Sequence, residues 1–480
     1  SSFTDTTITA PVTGIEIRAG KLTLKNCTVA GGSGEVTTSA NGNGTTVTNA
    51  ALAISQHNTK KPIDVTITSG EYTATAALFQ TDVQGTGSVG VNATVASGTF
   101  NGTVSAETNN TVAVKGGKFT SEVPENCCAD GFVPTQNADG TYGVKSGAYV
   151  AEYNGTKYES LQAAIDAAPR NATVTLLADT KENVTISTPY VTLDLNGHTL
   201  NGSTGERKPA LTITARVTVK DSSAAQTGTI MREDTAENSG VSSHYVIDIQ
   251  GNGWLTFESG IVKNNSGNTE GKGASLVRVG DDSVAKYPGL TIKGGTFTQN
   301  NFIVLKVDRG TLYVNGGTIN SANSYAVQNW RYATIKDNAI VNGNVSSWVY
   351  STGVAFSELE ISGGTVNGNV EAISYDGAEG KLAKVKITGG TVNGTLIAGI
   401  YNSATEPTKD MATIEITGGT FSSDPTKYVI EDSAITANAD GTFGVTKAYL
   451  AKVGDTSYYT MEEAFKAQTT SGEPVVLLRD

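Results

Sequence analysis

Apolar and polar residues alternate through most of this chain in short runs that end at paired glycines. In Ile414–Phe421, Ile-Glu-Ile-Thr-Gly-Gly-Thr-Phe, two branched residues flank a polar one. That is the period of a strand with one buried face. The two glycines then permit a tight bend where a Cβ would clash. The phrase returns at Leu290–Phe297, Leu312–Ile319, Leu359–Val366 and Val385–Val392, with looser copies at Val65–Tyr72, Val95–Phe100, Val112–Phe119, Leu255–Val262 and Ala333–Ile340. The centres of the strand triplets are Thr256, Thr291, Tyr313, Thr334, Glu360, Lys386 and Glu415, in steps of 35, 22, 21, 26, 26 and 29 residues. Earlier centres fall at Thr66, Thr94 and Ala113. Repeats of this size mean stacked units, and the uneven steps suit a β-helix, in which extra residues bulge from a turn without disturbing the strands.

Stacking also predicts columns of like residues. After the bend come Thr99, Thr296, Thr318, Thr365, Thr391 and Thr420, and two residues later Asn101, Asn320, Asn367 and Asn393. Piled one above another, these would form side-chain ladders.

A longer repeat divides the chain. Asn137–Val144 matches Asn438–Val445 at an offset of 301, and Ala148–Ala167 aligns with Ala448–Ala467 at 300. The expected domains are the final coils of a first module at residues 1–148, a complete module at 149–448, and the start of a third at 449–480. Each module start carries a helical pattern. Ser160 precedes Leu161, Ala164, Ile165 and Ala168 on one apolar face, and Thr460 with Glu463 makes a capping box before Met461, Ala464 and Phe465. A short helix near 160–168 would cover the open end of the stack.

Composition narrows the class. Charged residues are 17% and hydrophobics 38%, and there are 55 glycines, which suits a long β structure rich in turns. The net charge of −12 disfavours nucleic acid and anionic membranes as partners. No apolar run is long enough for membrane insertion. Cys27, Cys127 and Cys128 allow a vicinal bridge, a pair with Cys27, or free thiols packed as small hydrophobes, the last being the expectation.

Taken together, Val191–Gly202, the Gly-Gly-Thr-Phe/Val phrases, and Tyr158–Ala168 leading into Val174–Asp179 resemble the right-handed parallel β-helix (pectate-lyase-like) surface and adhesin proteins of Gram-positive bacteria. The resemblance implies an all-β solenoid of tandem modules with short capping helices. It also implies export, cell-wall attachment and a monomeric array. Because this fold serves lyases, hydrolases, glycan-binding modules and adhesins alike, activity has to be sought in a site.

A glycosidase on such a fold would need paired carboxylates on neighbouring coils, and a lyase a calcium-binding acidic cluster beside a base. The strand centres supply no such pair. Asp281-Asp282 and, one coil later, Asp308-Arg309 come nearest to an acidic–basic group and are best read as a solvated loop and a turn, with Asp281 and Asp282 as weak metal candidates. Asp194 and Asp221 lack an evident partner, and His57, His198 and His244 are scattered. No catalytic residue is therefore assigned, and no cofactor is expected, calcium at Asp281 and Asp282 being the sole alternative. One constellation favours binding. Tyr350, Tyr375 and Tyr401 each follow an Asn-Gly by the same eight residues from the Asn, which predicts a column, with Trp348, Trp330 and Tyr332 nearby in sequence. An outward aromatic column would stack on sugar rings or anchor a protein. The expected function is an extracellular stalk or adhesin module binding a glycan (mucin or plant polysaccharide) or a host protein such as an immunoglobulin. The rival is a carbohydrate-active enzyme, a polysaccharide lyase or glycoside hydrolase.

Overall fold

Alternating triplets and glycine bends produce a chain that, among the described residues, is nearly all β with two short α-helices. The computed structural model describes residues 1–234, 244–264, 274–281 and 286–478. Contacts divide these into two units, Ser1–Tyr149 and Val150–Asp480.

In the first unit, parallel strands pile up in three columns. One runs through Ser2–Thr4, Gly20–Lys25, Ile63–Ile67, Val91–Val95 and Val112–Val114. A second runs through Thr7–Thr9, Cys27–Ala30, Gly70–Thr81, Thr99–Ala106 and Lys118–Phe119. Ile15–Ile17 and Ala50–Ser55 make the third. The stack ends in an antiparallel hairpin, Phe132–Gln136 against Tyr142–Ser146. Inside, Tyr72, Phe100 and Phe119 lie ring on ring at 4.9 and 4.7 Å. All three cysteines are free. Burial pushes the Cys127 thiol up to about 12 and the Cys128 thiol to about 11, so both stay protonated at neutral pH.

The second unit opens with the hairpin Ala151–Tyr153/Thr156–Tyr158 and the helix Leu161–Ala167, which begins one residue after the expected start. Leu161, Ala164 and Ile165 are buried, as their spacing requires. Glu182 fixes the helix start. Its carboxylate accepts from the backbone N–H of Leu161 and Gln162 (2.8 and 3.2 Å) and from the hydroxyls of Ser160 and Thr180 (2.8 and 2.6 Å). Burial opposes its ionisation, but these four donors outweigh burial and hold the carboxyl below its usual range.

Parallel columns then run through the unit in the predicted register. Thr256, Thr291, Tyr313, Thr334, Glu360, Lys386 and Glu415 are successive partners. In the Thr column, Thr296, Thr318, Thr365, Thr391 and Thr420 are interrupted by Ile340. The Asn ladder gains a member, for Asn342 donates to Asn320 (2.8 Å), Asn367 to Asn342 (2.7 Å) and Asn393 to Asn367 (2.8 Å). Asn101 instead meets Glu71 and Thr73. The glycine bends are crowded. A Cβ on Gly389 would lie 2.8 Å from the Ser362 carbonyl oxygen, and Gly390 holds φ +85° with a Cβ position 2.7 Å from the Gly363 oxygen. Apolar residues on the inner faces form one continuous core from Ala151 to Val445, each buried Leu or Ile contributing roughly 1.5–3 kcal/mol.

The final segment repeats the module start, with the helix Met461–Ser471 capped by Thr460. Leu176 is fully buried beneath Val191–Asp194, whose strand pairs with its own. Its repeat counterpart, Leu477, is 61% exposed.

Gly390→Ala should destabilise the protein by roughly 1–3 kcal/mol in urea denaturation, because the residue must hold a positive φ beside a carbonyl. Glu182→Gln should cost about 1 kcal/mol at pH 7. Since folding depresses this pKa, its stabilisation is complete above the unfolded value of roughly 4.3 and is lost as pH falls. The gap between mutant and wild-type melting temperatures should therefore shrink below that pH.

Candidate functional site

One column of strands builds the face that carries the predicted aromatics. Its members are Ile247–Ile249, Val277–Val279, Leu305–Val307, the C-terminal part of Thr318–Asn329, Ile340–Val349, Val370–Ser374 and Leu396–Ile400. The flanking branched residues enter the core, so the pleat sends the residues between them to the opposite face. In register these are Asp248, Arg278, Lys306, Gln328, Ser346, Glu371 and Ile397. Two positions further along each strand come Asp308, Trp330, Trp348, Ile373 and Gly399. Two beyond those in the last three strands come Tyr350, Tyr375 and Tyr401.

The tyrosine column therefore exists. Tyr375 and Tyr401 stack at 5.2 Å with planes 15° apart and are 49% and 44% exposed. Trp348, only 4% exposed, lies beneath them at 6.2 and 5.2 Å. It also packs on Trp330 at 5.5 Å. Tyr350 is half-buried and meets the Trp330 ring edge to face at 5.3 Å and 83°. Tyr332 does not join the group; it begins the strand of another column and packs against Phe356.

Beside the aromatics runs a strip of polar groups that the alternation should have exposed but that packing buries. Arg278 forks onto Asp248, with two contacts of 2.9 Å, and reaches Asp281 at 3.1 Å. Lys306 pairs with Asp308 at 2.9 Å. Burial lifts the Asp308 carboxyl above its ordinary range, with Lys306 and Arg278 pulling it back and Asp281 adding to the rise. Glu371 is likewise lifted by burial, against the hydrogen bond of 2.8 Å from the Tyr325 hydroxyl.

Two hollows open here and share Lys306 and Trp330 as a partition. One, about 320 Å³, is lined by Asp281, Asp308, Tyr350 and Val354 as well. The other, about 280 Å³, is walled by Tyr245, Ser275, Phe302 and Tyr325 among others. The Ser275 hydroxyl and the Trp348 indole N–H are buried with no hydrogen-bond partner. Two larger hollows, about 720 and 780 Å³, lie near the C-terminus around Tyr458 and Tyr428. The latter is edged by solvent-exposed charges such as the Lys427–Glu406 pair, whereas Lys306 and Trp330 line both hollows of the aromatic face.

Several expectations change. Asp308 belongs to no solvated turn: its side chain is 17% exposed and ion-paired. Asp281 joins it, while Asp282 lies outside the described residues. Among the described residues no three His, Cys, Asp or Glu side chains gather as a metal site would require. Asp194 and Asp221 have partners after all. Asp194 pairs with Lys220 and accepts from the Ser222 N–H, and Asp221 accepts from the N–H of Gly197 and Ser223. Both are turn braces. His198 sits 3.6 Å from Asp179 in such a turn.

The sequence reading missed Asp248, Arg278, Lys306 and Glu371. A signal was present in Ile-Asp-Ile, Val-Arg-Val and Leu-Lys-Val at 247–249, 277–279 and 305–307, the same triplet as Ile414–Ile416 without the glycine pair that made it visible. Comparison with protein-family models, curated proteins and solved structures found no match to this chain.

Asp248→Ala should leave the buried Arg278 with Asp281 as its remaining carboxylate and the Tyr245 ring 4.8 Å away. A loss of roughly 3 kcal/mol is expected in urea denaturation followed by circular dichroism.

Proposed function

We propose that the parallel columns close into right-handed β-helical solenoids, and that this chain is part of an extracellular, cell-wall-attached tandem protein that binds a glycan through the lateral face of its second unit. The observation that carries this reading is the in-register Tyr350, Tyr375 and Tyr401 column, with Trp348 and Trp330 packed behind it. Monomeric proteins seldom leave stacked rings half exposed without a use. Tyrosine rings held rigidly at strand ends lose little entropy when a sugar ring stacks on them. The acidic chain disfavours nucleic acid and anionic membrane as partners. A host protein such as an immunoglobulin would use the same rings as anchors, so it is the competing partner for the same face.

A second reading has an observation of its own. Asp308, lifted by burial and close to Asp281, has the environment of a general acid beside a second carboxylate. In that case the chain is a carbohydrate-active enzyme. Release of reducing sugars from mucin or plant polysaccharide, abolished by Asp308→Asn, would establish it.

The binding reading predicts that the Tyr375→Ala, Tyr401→Ala double variant keeps its circular dichroism spectrum. It should lose about 2 kcal/mol or more of affinity, roughly thirtyfold in Kd, for whichever glycan a glycan array identifies. Capture unchanged in that variant would refute the proposed face. Capture of immunoglobulin with no glycan retained would transfer the face to a protein partner.

A further inference from the structure

We infer that the paired hollows on either side of Lys306 and Trp330 form a subsite for a neutral hexopyranose unit, and that the face rejects glycans bearing uronate, sialate or sulfate. The inference rests on the glycan-binding reading and adds the ligand's charge class and the place of one of its units.

The shape comes from the rings. Trp330 and Tyr350 stand nearly perpendicular, 83° between planes, and form a corner. The C–H face of a pyranose lies against one ring while its edge meets the other. The hollow below that corner, about 320 Å³, is within the usual range for small-ligand sites. Lys306, a donor, and Asp308, an acceptor, both line it, a combination suited to vicinal hydroxyls, which donate and accept together. Across the partition, the unpartnered Ser275 hydroxyl belongs to a residue 2% exposed. A buried hydroxyl without a bond is destabilising until some group satisfies it.

The charge selection comes from pairing. Each cation at the site is already neutralised: Arg278 by Asp248 and Asp281, and Lys306 by Asp308. Three carboxyl groups thus face two cations, with Glu371 further along the strip. Other cations nearby are turned elsewhere. Arg309 and Arg331 lie over the Tyr287 ring at 5.2 and 5.9 Å, and Lys381 donates to the Gly353 carbonyl at 2.9 Å. An anionic sugar entering here would meet like charge and would have to displace a carboxylate from its partner. A neutral hydroxyl needs neither.

The test is a glycan array carrying matched pairs, galactan with polygalacturonate and desialylated with sialylated mucin glycans, probed with the whole chain. The wild type should retain the neutral member of each pair at least about tenfold more tightly. Trp330→Ala should lose that retention. Because truncating Trp330 could also loosen the face, the isosteric double variant Asp281→Asn, Asp308→Asn supplies a gain-of-function arm. It leaves Lys306 without its carboxylate and removes the Asp281 contact from Arg278, which keeps its fork on Asp248, and should raise retention of the anionic members about tenfold. Tyrosine-dependent retention of anionic glycans by the wild type, equal to or above that of neutral ones, overturns this inference while leaving the binding face intact. No gain in the double variant overturns the charge selection. Unchanged neutral binding in Trp330→Ala overturns the subsite. If no glycan is retained at all, both the inference and the reading beneath it fail.

Discussion

Backbone crowding at the glycine bends is the constraint on which the rest depends. At Gly316 a Cβ would lie 2.4 Å from the Lys293 carbonyl oxygen, and at Gly418 it would lie 2.4 Å from that of Thr388. A side chain at either position would collide with the coil before, so successive strands come into hydrogen-bonding contact. Residues next to the bend fall into columns, as the strand centres and ladder asparagines do. Further along, between Thr318–Asn329 and Ile340–Val349, the register shifts before the strands that carry the exposed rings.

Columns make the sequence unusually informative about neighbours and less so about burial. The centres from Thr256 to Glu415 are partners in the order in which the alternation placed them. Tyr375 and Tyr401 stack because each directly follows a strand whose predecessor is aligned to the residue. Pattern alone could not tell that Trp348, on the outward side of its strand, would be covered by the tyrosines above it. It also could not tell that Asp248 and Arg278 would neutralise one another out of water. Both outcomes depend on which side chains of neighbouring coils meet across the face, and local alternation carries no record of that. Tyr332 shows the converse failure: close to Trp330 in sequence, it lies past a turn and belongs to a different column.

The face beside Trp330 joins two kinds of surface that rarely serve the same purpose. Exposed rings offer sequence-tolerant stacking, whereas the paired charges next to them are geometrically demanding, since an Arg–carboxylate fork holds its partners in one plane. On the proposed reading, rings supply area and ion pairs supply discrimination, and strands that hold both in place leave little to be ordered on binding.

The asparagine ladder has a further property. Every rung points the same way, from Asn393 through Asn367 and Asn342 to Asn320, which in turn donates to Thr298 at 3.1 Å. Side-chain amides aligned head to tail polarise one another as peptide groups do along a helix. The stack consequently has electrical polarity, with its electronegative end at the Asn393 oxygen. Like the axis of a helix, it distinguishes one direction along the chain from the other.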